Sequence, residues 1–88
     1  MNITEVRIRT VNGESKLKAY ATVTFDNEFV VHNIKVIESK NGFFIAMPAR
    51  LTANNEYKDI VHPINSPFRN KLQEKILEAY SNEQSEEN

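Results

Sequence analysis

Three basic residues, Arg69, Lys71 and Lys75, lie in the first half of a segment that the sequence predicts to be helical. The amino-terminal end of a helix is the positive end of the backbone dipole, where acidic residues are stabilising and cations are not. Cations placed there add to the positive potential that already attracts anions. This arrangement is suited to binding a partner that carries phosphate groups.

The segment before these cations predicts how the helix begins. A strand stops at Pro63, because proline has no N–H to donate to the ladder. Ser66 is the predicted N-cap and Pro67 the first helical residue, where a missing N–H costs nothing. The helix is predicted to run from about Pro67 to Tyr80.

At about 100° per residue, the apolar residues of this helix form one stripe. The stripe consists of Phe68, Leu72, Ile76 and Ala79, with Tyr80 at its edge. Lys71 and Lys75 fall on one flank and Arg69 on the other, so the cations border the apolar contact. They also fit a plain solvating role, in which their methylenes cover apolar surface while the charges stay in water.

The first half of the chain predicts antiparallel strands. Residues 17–25 alternate between apolar and polar, which places the apolar set on one face of a sheet. Asn12-Gly13 separates this run from the alternating residues 6–9 and predicts a hairpin. Residues 28–37 fit a helical stripe as well, but their β-branched content favours a strand. The strand alternation is Val30, His32, Ile34 and Val36.

A second Asn-Gly pair, Asn41-Gly42, precedes the apolar run 43–48. After a turn at 53–55, Tyr57 to His62 is the fifth extended run. The simplest chain path is a meander of five strands followed by the helix. We therefore predict an α+β fold, with a small antiparallel sheet of about five strands and one C-terminal helix.

The 88-residue length predicts a single domain, residues 1–80. Domains of this size bury a modest fraction of their surface, so we expect a homodimer. The chain has no cysteine, which excludes disulfides, thiolate metal sites and cysteine nucleophiles. No window approaches the roughly 18 apolar residues of a membrane span. We expect a cytoplasmic protein that does not contact a membrane.

The net charge of −1 hides an asymmetry along the chain. Residues 1–75 carry 11 Lys and Arg against 8 Asp and Glu, a net charge of +3, whereas residues 76–88 carry −4. Residues 81–88 contain no apolar side chain and predict an acidic, disordered tail. The body is mildly basic, which is a weaker signal than the strongly basic composition typical of DNA-binding domains.

Two histidines are candidates for a metal or acid–base site. His32 and His62, with Asp26 or Asp59, have suitable chemistry. Structural roles, within a strand or at a strand end, are the better explanation for both histidines, since no pair has the HExxH spacing and no Gly-rich loop precedes the helix. We therefore expect no enzymatic activity, no metal, no cofactor and no small-molecule substrate.

Aromatic residues exposed on a sheet can stack unpaired bases. Phe43 and Phe44 are adjacent on a predicted strand and point to opposite faces, so both are buried only if both faces are covered. Core packing is the simpler role for both. Tyr20, on the wetter face beside Lys18 and Thr22, is the better candidate for stacking.

Three motifs resemble the bacterial stage V sporulation protein G (SpoVG) family. They are VVH at 30–32, AMP at 46–48 and HPI at 62–64, within EFVVHNIKVI, NGFFIAMPAR and YKDIVHPINS. The resemblance runs from about Ile3 to Tyr80. It implies a small, mostly β homodimer that binds DNA and RNA and regulates genes for septation, cell division, sporulation, envelope or virulence. It also implies that sequence preference varies with the start of the helix, residues 66–71.

Two positions depart from the family pattern. Asn33 stands where Asp often follows VVH, and Ala49 stands where Ser often follows AMP. Neither position lies in the predicted helix or its cap. The departures concern contacts at these two positions rather than the fold.

The resulting hypothesis is a nucleic-acid-binding regulatory homodimer. Phosphates would be held by Arg69, Lys71 and Lys75, helped by Arg50 and Lys58 from the hairpin before the helix. The alternative is a protein-interaction adaptor that uses an exposed strand edge or the acidic tail and does not bind nucleic acid.

Overall fold

Strands precede a single C-terminal helix in the part of the chain that the structure describes. The structure is a computed structural model that describes residues 1–13 and 15–86, with side chains up to residue 83. The elements are β1 (Ile3–Thr10), β2 (Leu17–Phe25), β3 (Phe29–Ser39), β4 (Gly42–Ala46), β5 (Ala49–Leu51), β6 (Tyr57–Asp59) and α1 (Ser66–Glu86). The predicted α+β class is confirmed.

The first four strands form one antiparallel sheet in sequence order, and β5 pairs with β6 in a separate two-stranded hairpin. The fold thus differs from a single five-stranded meander in its last part. The fourth strand ends at Ala46, before Met47 and Pro48, and proline cannot donate to a ladder. The chain then turns away from the sheet, and Ile60 N donates to Pro48 O at 2.7 Å to close the base of the hairpin.

The segment that fitted both a strand and a helix forms β3, so the strand prediction is confirmed. It contains a β-bulge, in which Thr22 of β2 lies opposite both His32 and Asn33. The flanking pairs are Val23 with Val31 and Ala21 with Ile34. Asn33 has a φ of 64°, in the left-handed region that asparagine enters more readily than most residues.

The bulge changes which side chains of β3 face the core. The predicted alternation placed Val30, His32, Ile34 and Val36 on one face. Ile34 and Val36 are buried, but Val30 and His32 are exposed and Val31 packs against the core instead. The prediction is therefore wrong for Val30 and His32, because one extra residue inverts the alternation before it.

Helix α1 packs on one face of the four-stranded sheet. Its central residues Leu72 and Ile76 are 1% and 0% exposed, which confirms the predicted apolar stripe. Ala19 and Ala21 of β2 are fully buried in the same core. The core consists of Ala19, Ala21, Val23, Phe25, Ile34, Val36, Ile45, Met47, Leu72 and Ile76.

Side-chain contacts fix the helix at three points along its length. Near its start the ring centres of Phe68 and Phe25 are 5.9 Å apart, and further along those of Tyr80 and Phe43 are 5.4 Å apart. Between them, Gln73 Oε1 accepts a hydrogen bond from the Ile45 backbone N–H at 3.2 Å. Strand β4 is an edge strand, so this bond satisfies a donor that no strand pairs with.

The helix begins on a different cap from the predicted one. Asn65 Oδ1 accepts from Phe68 N at 2.8 Å, and Asn65 O accepts from Arg69 N at 3.1 Å. Asn65 is therefore the N-cap, and the assignment of Ser66 is wrong. Ser66 is the first helical residue and Pro67 the second, still among the positions whose N–H has no partner within the helix.

The helix also ends later than predicted, at Glu86 rather than Tyr80. Residues 81–86, which were assigned to a disordered tail, belong to α1, whereas Glu87 and Asn88 lie outside the described residues. In the described part of the chain, no helix is long and apolar enough to cross a membrane.

The cap assignment predicts a difference between two neighbouring substitutions. Asn65→Ala should lower the free energy of unfolding by about 1 kcal/mol, because the Phe68 N–H loses its acceptor. Ser66→Ala, the matched control, should change it by less than about 0.5 kcal/mol. Urea denaturation followed by circular dichroism, at one protein concentration, measures both. A larger loss for Ser66→Ala would contradict the assignment.

The bulge predicts a conformational preference at position 33. Asn33 is exposed, so its substitution removes no core contact. Asn33→Gly should keep stability within about 0.5 kcal/mol. Asn33→Val should lose about 1 to 3 kcal/mol, since a β-branched residue is strained at positive φ. Thermal and urea denaturation test the pair, and equal stability of the two variants would argue against the left-handed conformation.

Candidate nucleic-acid interface

The three predicted helix cations lie at the border of the contact between α1 and the sheet. Arg69, Lys71 and Lys75 are exposed, whereas Leu72 and Ile76, which directly follow the two lysines, are buried. The packing of the stripe therefore places the lysine ammonium groups in solvent beside an apolar contact. This matches the arrangement predicted from the helical spacing.

The helix start lacks compensating negative charge. The first turn of α1 contains no acidic residue. Within the described residues, the ion pairs are Arg7 with Glu5 at 3.3 Å and Lys18 with Glu38 at 3.6 Å. The helix cations take part in neither pair. Arg69, in the first turn, therefore adds its charge to the dipole potential of the helix start.

The hairpin places the other two predicted residues opposite each other. Arg50 of β5 is the direct cross-strand partner of Lys58 of β6, so both belong to one face. Directly opposite residues have Cβ atoms about 4.5 to 5.5 Å apart, and like charges in such a pair are destabilising. Both residues are exposed. A bound anion between them would remove this repulsion.

The hairpin is exposed along its whole length. Every residue of β5 and β6 is exposed, and the two strands pack mainly on each other. The described residues thus carry two basic groups, one on α1 and one on the hairpin, joined by residues 60–65. The sequence identifies Arg50 and Lys58 as candidate phosphate ligands, and the strand register shows that they lie directly opposite each other.

Exposed apolar residues accompany the hairpin. Leu51 and Tyr57 on its strands are 54% and 76% exposed, and Ile60 and Ile64 after it are 62% and 89% exposed. An apolar groove of about 440 Å³ lies beside them, between the start of β3 and the start of α1. Its lining includes Phe25, Phe29, Val31, Met47, Ile64 and Phe68. Sequence reasoning missed this surface, because isolated isoleucines around Pro63 belong to no periodic pattern.

The two histidines lie in different parts of the structure. His32 is exposed at the β3 bulge, and His62 Nδ1 donates to Pro63 O at 3.0 Å in the segment before the helix. Over residues 1–13 and 15–86, no group of three or more His, Asp or Glu side chains is placed to hold a metal ion.

The aromatic residues occupy both sides of the sheet. Phe43 contacts Tyr80 on the helix side, whereas Phe44 lies on the opposite face, and they are 42% and 40% exposed. Neither belongs to the buried core, so the expectation of core packing is wrong for both. Tyr20 is half-buried on the face away from α1, with the guanidinium carbon of Arg9 5.4 Å from its ring centre.

Comparison with known proteins places these elements in one family. The SpoVG family matches residues 1–82, which include the six strands and most of α1. The chain is 62% identical over 88 residues to a protein of Caldanaerobacter subterraneus subsp. tengcongensis, an alignment that covers the whole chain and 94% of that protein. It is 59% identical over 87 residues to a protein of Clostridium acetobutylicum, which covers 99% of the chain and 92% of that protein.

Both relatives bear the name "Putative septation protein SpoVG". The similarity extends over nearly the full length of each protein, so it concerns the complete fold rather than a shared motif. The resemblance seen in the VVH, AMP and HPI motifs is thereby confirmed, and the chain belongs to the SpoVG family.

Proposed function

We propose that this protein binds nucleic acid, DNA or RNA, through phosphate contacts made by Arg69, Lys71 and Lys75. The observation that carries the proposal is the group of exposed cations in the first half of α1. Three exposed cations lie on a helix whose first turn has no acidic residue, and none of them takes part in the ion pairs of the described residues. Phosphate oxygens of a nucleic acid would pair with these three cations.

Arg50 and Lys58 add a second group of phosphate contacts. Repulsion between these paired cations lowers the stability of the free protein. A phosphate bound between them would remove the repulsion and form charge-assisted hydrogen bonds, which favours binding. Contacts of this kind fix the position of the nucleic acid and supply affinity, but they read little sequence.

The biological role that we propose follows from family membership. The relatives are named for septation, and a nucleic-acid-binding protein of this family would act by regulating gene expression. We assign the protein to the cytoplasmic regulation of genes for septation, cell division, sporulation, envelope or virulence.

We also propose that the protein acts as a homodimer and that the hairpin β5–β6 forms part of its interface. An isolated two-stranded hairpin is marginally stable in water, so this one needs a covering surface. A second copy supplies one, because each chain carries both exposed apolar hairpin residues and an open apolar groove. In a two-fold dimer the two contacts are made reciprocally.

The phosphate contacts predict a steep dependence of affinity on salt. If each helix cation neutralises one phosphate, about six are neutralised per dimer, and log K should fall against log salt with a slope of roughly −5 on duplex DNA. The triple variant Arg69→Ala, Lys71→Ala, Lys75→Ala should flatten this slope and weaken binding. Fluorescence anisotropy titrations with duplex DNA, single-stranded DNA and RNA at several salt concentrations measure both quantities.

The matched control for this experiment is Lys16→Ala with Lys40→Ala, which removes exposed cations outside the helix and the hairpin. It should keep a slope near that of the wild type. An unchanged slope and affinity in the helix variant, with the dimer intact, would rule out the assigned residues. Absence of salt-sensitive binding to all three nucleic acids would favour the adaptor alternative.

The dimer proposal predicts a mass of twice the 10.2 kDa chain in light scattering. Leu51→Thr with Tyr57→Thr keeps β-forming residues but removes apolar surface from the hairpin, and should shift the protein towards the monomer. Val30→Thr, at an exposed position of β3, is the control and should leave the dimer intact. A 10.2 kDa wild-type species would refute the dimer, and a dimeric double variant would refute the hairpin interface.

A further inference from the structure

The sheet face opposite α1 carries a row of three side chains across three strands. Arg9 of β1 is paired with Tyr20 of β2, and Tyr20 is paired with Lys35 of β3. Directly paired residues share a face, and their neighbours Ile8, Ala21 and Ile34 point towards the helix side. The row therefore presents a cation, an aromatic ring and a second cation side by side on the open face.

The first two members of the row are in contact. The guanidinium carbon of Arg9 lies 5.4 Å from the centre of the Tyr20 ring, within the range of a cation–π interaction. The interaction holds the planar guanidinium over the planar ring, so that its outer face is open to a stacking ligand. A ligand that stacks on this pair meets groups already held in place, so less side-chain entropy is lost on binding.

A shallow depression of about 230 Å³ adjoins the row. Its lining includes Arg7, Arg9, Tyr20, Thr22 and His32. The bulge of β3 places His32 opposite Thr22, and so contributes directly to this surface. Arg7 is paired with Glu5 at 3.3 Å, but Arg9 and Lys35 take part in no ion pair of the described residues. The depression thus combines positive charge with flat, stackable groups.

We propose that this face is a second binding site, for the unpaired bases of single-stranded nucleic acid. A base stacks on the Arg9–Tyr20 pair, while Lys35 contacts a flanking phosphate. Stacking of this kind tolerates any sequence, because every base has a π-face. Bases in a duplex are stacked on one another and cannot reach the pair. The site therefore selects single strands, whereas the α1 cations meet phosphates in either form.

The inference rests on the proposed nucleic-acid binding but assigns it a separate surface. Helix α1 covers one face of the sheet, and the Arg9–Tyr20–Lys35 row lies on the other. Substitutions at the two sites should therefore have separable effects, which makes the two proposals distinguishable in one set of measurements.

The test uses fluorescence anisotropy with three labelled probes: an oligouridylate of about 12 nucleotides, an abasic oligonucleotide of the same length, and duplex DNA. Tyr20→Leu should weaken oligouridylate binding at least about fivefold, because the stacking ring is removed. Tyr20→Phe keeps the ring and should stay within about twofold of the wild type. Duplex and abasic binding should change little in either variant, because both depend on phosphate contacts.

Arg9→Lys provides a second variant that does not alter the half-buried ring. It keeps the charge but removes the planar guanidinium, and should weaken oligouridylate more than abasic binding. In the wild type, NMR resonances of the Tyr20 ring should shift on addition of oligouridylate. Circular dichroism verifies that each variant is folded, and if Tyr20→Leu unfolds, Arg9→Lys and the NMR shift decide.

Unchanged oligouridylate binding in both variants, or an equal loss of affinity for the abasic probe, would overturn the second site. Continued binding of duplex DNA would leave the α1 site standing. Loss of salt-dependent duplex binding in the helix triple variant, with oligouridylate binding retained, would support two separate sites. Failure of the wild type to bind any probe would overturn the proposed function together with this inference.

Discussion

The packing of Leu72 and Ile76 against the four-stranded sheet is the interaction on which the rest of the structure depends. The two side chains are almost completely buried in one core with Ala19 and Ala21. Burial of each contributes about 1.5 to 3 kcal/mol, a large share of the net stability of so small a domain. Since the described residues form one helix, only one face of the sheet is covered in this way. The other face and the hairpin remain accessible for binding.

The same packing sets the electrostatics of the helix. With Leu72 and Ile76 turned inward, Lys71 and Lys75 cannot leave the solvent boundary without rotating the whole helix. The Asn65 cap and the contact of Phe68 with Phe25 fix the start of that helix relative to the sheet. The positions of the charges are thus determined by apolar contacts, and an anion encounters them already arranged.

Local periodicity predicted the elements whose environment is uniform along their length. The stripe of α1 and the alternation of β2 from Ala19 to Phe25 are predicted correctly, because one face of each is buried there. A register shift between Leu17 and Ala19 takes Leu17 out of the alternation. The β3 alternation was misread, because a bulge depends on pairing with β2 and leaves no periodic trace in β3 itself. Likewise, Asn65 and Ser66 are equally good caps by composition, and only the helix register decides between them.

The candidate site was predictable only in part. The helix cations were identified from their position in the helix, and the Arg50–Lys58 pair became visible only with the hairpin register. The open-face row was harder to see, since Arg9, Tyr20 and Lys35 come from three separate strands and meet only through two pairings. The strand face of Tyr20 identifies it as a stacking candidate, but it does not show that Arg9 and Lys35 lie on either side of it.

The hydrogen bond from Ile45 to Gln73 bears on how the sheet can associate. The bond occupies the Ile45 backbone N–H on the outer edge of β4, to which another strand could otherwise pair. An added strand would have to displace the Gln73 amide before it could pair with the Ile45 N–H, so a side chain of the helix protects this point of the sheet edge.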